Sequence, residues 1–200
     1  TCGNGLSVQL GNNSTSSFSS PVQIGSNLWK QVACGGHATI GFGQCIAIQS
    51  NGTLWTWGYN GNGELGTSDL TYRSSPVQIG SNLWRQVSTG YFSTLAIQSN
   101  GTLWAWGYNG FGQLGLSDTT DRSSPVQIST INTWNKVQIG YYSSMAVKND
   151  GTLWTWGRNN LGQLGLSDTT DRSSPVQIGL LNSWTKIFTN FSFSGALKIT

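Results

Sequence analysis

Charged side chains are scarce in this sequence. Only 8% of its 200 residues are Asp, Glu, Lys or Arg, against about 25% in an ordinary soluble domain. The net charge is +3, and the ten basic residues form no run. Nucleic-acid-binding proteins usually present clustered Lys and Arg to the phosphates, so we expect no nucleic acid partner. No apolar run approaches the roughly 20 residues of a membrane-spanning helix, and we expect no membrane span.

Side chains suited to catalysis or metal binding are also few. The sequence has one histidine, His37, one glutamate, Glu64, and three cysteines without a CxxC motif. This excludes the ordinary Cys/His zinc spacings, and His37 stands in no nucleophile–base pattern. The acidic loops 118–121 and 168–171, each followed by an arginine, fit a turn with a local Asp–Arg pair better than a calcium site, which needs six or more oxygen ligands. We predict no catalytic site, metal site or cofactor.

Repetition is what the sequence has in abundance, with a period close to 50 residues. GTLWTWG at 52–58 recurs as GTLWAWG at 101–107 and as GTLWTWG at 151–157. SSPVQI begins at residues 74, 123 and 173, with an earlier copy at residue 19. Cutting at each Trp-Thr or Trp-Ala junction gives the repeats 1–55, 56–104, 105–154 and 155–200 of a single domain, 1–200.

Each repeat carries four short strand patterns and no helical period. They are the Ser-Pro segment, which begins with a proline, a segment such as 84–87, a segment such as 94–98, and the Trp-rich segment. Four-stranded units of this length are typical of propeller blades. We therefore predict an all-β protein, a β-propeller of four-stranded blades with about four repeats. Open edges are a liability, so we expect these repeats to be part of a larger ring or to be completed by another chain.

The cysteines Cys34 and Cys45 flank a segment that only the first repeat contains. They are either two small buried residues or a disulfide that closes the longer loop, and spacing alone cannot establish the geometry. A disulfide would indicate an oxidising compartment. The sequence has no initiator methionine or signal-like segment, so we expect a processed chain or a window on a longer one. A surface rich in Ser, Thr, Asn, Gln and Gly leads us to expect an extracellular, cell-surface or virion-associated protein.

The order of the motifs resembles one known family. W-G-x-N-x-x-G-Q-L-G, followed by SPV and then by G-x-x-S-x-A with an apolar residue, is similar to the regulator of chromosome condensation repeat over nearly the whole chain. The sequences of these repeats are most similar to those of the family's bacterial and phage members. The resemblance implies a β-propeller, commonly of seven blades. A guanine-nucleotide-exchange role, known in the family, depends on surface insertions that this sequence does not match.

The candidate binding residues are those that vary between repeats inside the fixed frame. Equivalent loops of a propeller gather on one face, so these residues predict an arc of aromatic side chains that could anchor a partner. The alternative is that they cap the blade cores. The positions after the second strand are His37, Tyr91, Phe92, Tyr141, Tyr142, Phe191 and Phe193, and Phe111 varies in a glycine-rich turn.

Three functions follow from this interpretation. The first is a non-catalytic module that binds a protein partner through rigid loops. The second is a structural subunit, such as a phage tail, capsid-decoration or fibre protein, that packs against further copies of a propeller chain. The third is a carbohydrate-binding lectin that uses the same aromatic loops on a glycan. The repeated tryptophans themselves recur at one strand position in every repeat, as blade packing requires.

Overall fold

The computed structural model describes residues 1–2, 4–37 and 41–198, without the side chain of His37. The described residues form strands and turns but no helix, so no helix in this part of the chain could span a bilayer. In this part of the chain, fourteen strands are arranged in successive antiparallel sheets, which confirms the prediction of repeated four-stranded blades.

Three sheets have four strands each, and a fourth sheet has two. The first contains β1 (Trp29–His37), β2 (Phe42–Gln49), β3 (Leu54–Gly58) and β4 (Arg73–Gln78). The second contains β5 (Trp84–Thr89), β6 (Ser93–Gln98), β7 (Leu103–Gly107) and β8 (Arg122–Gln127). The third contains β9 (Trp134–Ile139), β10 (Ser143–Lys148), β11 (Leu153–Gly157) and β12 (Arg172–Gln177). The last pairs β13 (Trp184–Thr189) with β14 (Ser194–Lys198).

The sheets do not coincide with the sequence repeats. The Ser-Pro strand pairs with the Trp-rich strand that precedes it, as β4 does with β3, so each sheet ends one strand into the next repeat. Proline fits this outermost strand because it cannot donate a ladder hydrogen bond. The first Ser-Pro segment, 19–24, forms no strand, although Thr1 and Val22 exchange two backbone hydrogen bonds of 2.6 and 2.7 Å.

The hydrophobic core lies between neighbouring sheets. One face of each sheet packs against the opposite face of the next, and the first strands of successive sheets, β1, β5, β9 and β13, contact one another. These strands are therefore innermost. The three junctions contain Ile46, Ile48, Leu54, Trp84, Val87 and Trp106; Leu95, Ile97, Leu103, Trp134, Val137 and Trp156; and Met145, Val147, Leu153, Trp184 and Ile187.

Three tryptophans of the Trp-rich strands also make polar contacts that join neighbouring repeats. The indole Nε1 of Trp57 donates to the carbonyl oxygen of Gln9 at 3.1 Å, and that of Trp106 donates to the carbonyl of Glu64 at 2.9 Å. Trp156 repeats the contact with the carbonyl of Gln113 at 2.8 Å. Each bond joins a Trp-rich strand to the glycine-rich turn of the preceding repeat. The tryptophans are thus core residues that set the spacing of the sheets.

The extra segment of the first repeat lengthens its two inner strands. Cys34 and Cys45 lie opposite each other in the β1–β2 ladder, 4.2 Å apart at Cα, and their Sγ atoms form a disulfide. The remaining cysteine, Cys2, is an exposed free thiol.

Candidate binding surface

One face of the propeller collects most of the aromatic side chains outside the core. It is formed by the start of β2, by the β5–β6 and β9–β10 loops, and by the long β3–β4, β7–β8 and β11–β12 loops, which antiparallel pairing brings to the same end of the sheets. We call it the aromatic face. A connected series of ring contacts crosses it from Phe42 in the first sheet to Phe191 beyond β13.

The centre of this series is a stack between two adjacent sheets. Tyr91 and Tyr141 lie face to face, with ring centroids 4.6 Å apart and an interplanar angle of 18°. The stack is possible because the innermost strands approach closely just before these residues. A Cβ added to Gly90 would lie 2.0 Å from the carbonyl oxygen of Gly140. Glycine is therefore required at Gly90, and the close approach holds the two tyrosines in register.

On one side of the stack, the series runs into the first sheet. Phe92 contacts both Tyr91, at 3.9 Å between centroids, and Tyr59, at 5.4 Å. Tyr59 stacks on Phe42 at 4.4 Å and contacts Tyr72 at 4.7 Å. Burial, together with a hydrogen bond to Tyr72, raises the pKa of the Tyr59 hydroxyl to about 12. Tyr59 therefore stays neutral over the whole physiological range.

On the other side, the series widens into a second cluster that contains a cation. Tyr142 contacts Tyr141, Tyr108 and Phe111, the last at 4.7 Å between centroids. The guanidinium of Arg158 lies 4.7 Å from the Phe111 ring and 5.7 Å from the Tyr142 ring. Such a cation–π contact fixes the arginine against the rings. Burial raises the pKa of the Tyr142 hydroxyl.

The predicted candidates divide into three groups. The structure brings together Tyr91, Phe92, Tyr141, Tyr142 and Phe111 in the half-buried centre of the face, whereas Phe191 and Phe193 are exposed at its margin beside the two-stranded sheet. The side chain of His37 lies outside the described residues. The rings contact one another above the cores, so the face is both a cap and an accessible surface.

Sequence reasoning missed the members that follow the Trp-Gly pair. Tyr59, Tyr108 and Arg158 occupy one position in three successive repeats, and all three belong to the series. Their variation inside a fixed frame was the signal that could have identified them. Phe42 lies in the extra segment of the first repeat, for which no second copy exists to compare.

Glu64 lies beneath the aromatic face and is fully buried. One carboxylate oxygen, Oε2, accepts a hydrogen bond from the backbone N–H of Asn62 at 2.7 Å, and Oε1 has no hydrogen-bond partner. Burial raises the pKa of this carboxyl to about 7. The equivalent residue of the next repeat is Gln113, whose Oε1 accepts from the Phe111 N–H at 3.0 Å. The position therefore requires an acceptor but not a charge.

The acidic loops form turns held by arginine. Asp118 accepts from the Thr120 N–H at 2.9 Å and from Arg122 at 2.6 Å. The Thr120 hydrogen bond and the arginine both lower the pKa of the Asp118 carboxyl. The same pairs occur at Asp69–Arg73 and Asp168–Arg172. Among the described residues, no group of three or more His, Cys, Asp or Glu side chains is arranged to hold a metal ion.

Family models match most of the chain. A model described as the regulator of chromosome condensation (RCC1) repeat matches residues 51–97, 100–147 and 150–197, and a second model with the same description matches 84–113 and 134–163. The chain belongs to the RCC1 repeat family. The repeat identification from sequence is thus confirmed, and RCC1-type propellers are in general binding or regulatory modules.

Relatives with a curated description are similar over a short segment. The probable E3 ubiquitin-protein ligases HERC4 of Mus musculus and Rattus norvegicus are 36% and 35% identical over 85 residues. This segment is 41% of the present chain but only 8% of either relative. The similarity therefore reflects shared repeats and does not extend to the rest of the ligase.

Solved structures show the same fold. Yeast RCC1 (Prp20), determined with Kap60 bound, has a TM-score of 0.79 at 19% identity, and the match covers 100% of this chain and 50% of that one. Human WBSCR16 has a TM-score of 0.72 at 24% identity, covering 88% and 46%. The present chain thus spans about half the length of these propellers. At such identities, the likeness establishes the fold alone.

Proposed function

We propose that the chain is a non-catalytic binding module that recognises a protein partner through its aromatic face. The observation that carries this proposal is the connected series of rings from Phe42 to Phe191, half-buried in its centre and held by three sheets. Tyrosine and arginine are the residues that most often dominate binding energy at protein interfaces. Because the rings are fixed by one another and by the close strand approach at Gly90, little side-chain entropy is lost on binding.

Related propellers with known partners support a protein ligand. The structure report on Prp20p of Saccharomyces cerevisiae names binding to Gsp1p and to histones, and another shows yeast RCC1 bound to Kap60. Enzymatic chemistry has little support at this face. Asp69, Asp118 and Asp168 are engaged by arginines, and Glu64 is buried beneath the surface. The two other aspartates of this face, Asp121 and Asp171, accept hydrogen bonds from the backbone N–H groups of Asn109 and Asn159. The disulfide between β1 and β2 favours an oxidising location, in keeping with an extracellular, cell-surface or virion-associated role.

A displayed random-peptide library, panned on the immobilised chain, tests the aromatic face. Enriched peptides should lose binding to Tyr91→Ala or Arg158→Ala. They should keep binding to Leu180→Ser, which changes an exposed residue in the loop before β13, at the opposite end of the sheets. Far-ultraviolet circular dichroism would verify that each variant is folded. The proposal would be refuted if the enriched peptides bound both aromatic-face variants as well as they bind the parent, or if no peptide were enriched.

A second function, as a subunit of an assembly, is favoured by the two outermost sheet faces. Val32 on the first sheet is 60% exposed, although its equivalents Val87 and Val137 are 2% exposed at the internal junctions. On the last sheet, Leu197 is 52% exposed, whereas its equivalent Ile97 is fully buried. The two faces correspond to the two sides of every internal junction. We infer that they pack on further blades, supplied by more repeats or by another copy.

Native mass spectrometry of the 200-residue chain distinguishes this second function from the first. Association between copies predicts multiples of 21.5 kDa that dissociate in Val32→Asp, because that change places a charge at the proposed contact. The Tyr91→Ala variant should remain associated. A monomer at all concentrations would remove the assembly function for this chain and leave the aromatic-face proposal intact.

A further inference from the structure

The face opposite the aromatic face is strongly basic. It is formed by the β2–β3, β6–β7 and β10–β11 turns and by the segments that lead into β1, β5, β9 and β13. We call it the basic face. Six of the ten basic residues lie there against one of the seven acidic residues, Asp150. They are Lys30, Arg85, Lys136, Lys148, Lys186 and Lys198. The charge is therefore divided between the faces, about +5 here and −2 on the aromatic face.

Topology brings these charges together. Each innermost strand begins with a tryptophan and carries a cation next to it: Lys30 and Arg85 directly follow the tryptophan, and Lys136 and Lys186 are two residues after it. One cation per sheet therefore lies at the same end of the ring. In the sequence they are about one repeat apart, which is why no basic run is visible. Arg85 donates to the carbonyl oxygen of Trp134, and Lys136 donates to that of Thr185. These bonds hold the side chains across the junctions.

Among the described residues, the cations on this face have no carboxylate partner in an ion pair. All three ion pairs formed by the described residues involve arginine and aspartate, and all three lie on the aromatic face. Lys148 is covered by tryptophans, with its Nζ 3.6 Å from the Trp154 ring centroid. Burial lowers the pKa of the Lys148 ammonium group. Lys30, Lys186 and Lys198, in contrast, are exposed. The result is an unneutralised positive field.

Exposed aliphatic side chains accompany the cations on the basic face. They stand in the segments that lead into each innermost strand, next to the tryptophans that the basic residues follow. Leu180 is 95% exposed and Leu28 is 77% exposed. The others are Leu83, Ile131 and Leu181. They lie on four separate segments and thus form no single groove that one peptide side chain could fill.

We propose that the basic face binds the surface of a membrane that contains anionic phospholipids. Lysine beside scattered leucine suits an interface in which charges meet phosphates and side chains enter the acyl boundary at several points. An acidic protein partner fits less well, because directional pairing with carboxylates favours arginine. This chain shows that preference itself in its three Asp–Arg pairs. Lysine ammonium groups, in contrast, can interact with an extended negative surface without a fixed hydrogen-bond geometry.

Vesicle flotation tests the proposal with two lipid mixtures, phosphatidylcholine alone and phosphatidylcholine with phosphatidylserine. The chain should float only with the anionic vesicles, and added salt should release it because exposed charges are screened. Each of the substitutions Lys30→Gln and Lys186→Gln should weaken binding about fivefold, from about 1 kcal/mol per basic residue near such a surface. Leu180→Ser should also weaken binding, and the protein should stay folded because the Leu180 side chain is exposed.

Arg158→Gln is the matched control, since it removes one positive charge from the aromatic face. It should leave flotation unchanged, which would show that binding depends on where a positive charge lies and not only on the net charge of the protein. The proposal is overturned if anionic vesicles do not bind, or if Arg158→Gln weakens binding as much as Lys186→Gln. Binding to poly-glutamate without binding to vesicles would likewise overturn it and point to an acidic protein.

Discussion

The buried carboxyl of Glu64 makes the stability of the propeller depend on pH. Its pKa is raised from 4.5 to about 7 by burial. Because the folded pKa lies above the unfolded value, the folded protein holds this proton more tightly. The contribution to the unfolding free energy is therefore fully present below about pH 4.5 and is lost as the pH rises through 7. The 2.5-unit difference corresponds to about 3 kcal/mol, at about 1.36 kcal/mol per pKa unit.

Glu64→Gln should remove this dependence. The amide oxygen can accept from the Asn62 N–H, as the Gln113 amide accepts from Phe111 in the next repeat. At about pH 4 we expect the variant and the parent to unfold at similar urea concentrations. At about pH 8, where the parent buries a charged carboxylate, we expect the variant to be more stable by about 3 kcal/mol. Urea titrations followed by tryptophan fluorescence, repeated between these pH values, measure the difference.

The reverse substitution provides the control. Gln113→Glu places a carboxyl in the equivalent, fully buried position and should destabilise the protein at about pH 8 but little at about pH 4. All other titratable groups are common to the three proteins, so their effects cancel. If Glu64→Gln kept the slope of the parent between pH 4.5 and 7, burial would not be the source of the pH dependence.

Two further predictions concern stability measured by urea unfolding. Gly115→Ala should lower the unfolding free energy by about 3 kcal/mol, because the backbone at Gly115 is left-handed (φ +75°) and the new Cβ would lie 2.8 Å from Nε1 of the buried Trp156. Gly179→Ala is the control, since Gly179 is also left-handed (φ +56°) but has no atom within 4 Å of the new Cβ, and it should lower the unfolding free energy by only about 1 kcal/mol. Equal losses in the two variants would contradict the proposed clash with the indole. Replacing both Cys34 and Cys45 by serine should lower the unfolding free energy by about 3 kcal/mol, because the disulfide closes a loop across an 11-residue separation and so restricts the unfolded chain. A reducing agent should lower the unfolding free energy of the parent by a similar amount and leave that of the variant unchanged.

The repeat pattern was sufficient to predict the four-stranded blades and which loops share one side, although the first Ser-Pro segment, 19–24, forms no strand. Periodicity near 50 residues identified the blade, and loops at equivalent positions had to gather on one side, as Tyr91 and Tyr141 do. The sequence could not show which sheet a strand joins. The recurring Ser-Pro segment, with its proline at the start, predicts a strand, but pairing with β3 rather than with β5 is decided by backbone contacts between residues far apart in the chain.

The basic face was hidden for a related reason. A search for charge clusters along the chain finds none, because Lys136 and Lys186 are separated by a whole repeat. Their neighbourhood exists only after the innermost strands align around the axis. The expectation of no nucleic acid partner was based on linear proximity alone, and it stays a prediction. Comparing the short segments after each strand-initiating tryptophan across the repeats would have identified a cation one or two residues beyond every one of them.

The lock between each tryptophan and the glycine-rich turn of the preceding repeat bears on how such genes change length. Trp106 and Trp156 both find their acceptor about one repeat upstream, at Glu64 and Gln113. Any tandem duplication of one full period, wherever the DNA is broken, therefore supplies one new indole and one new acceptor. Unequal recombination can add or delete blades without designing a new junction. The number of blades is therefore the feature of this architecture that gene duplication and deletion can change most easily.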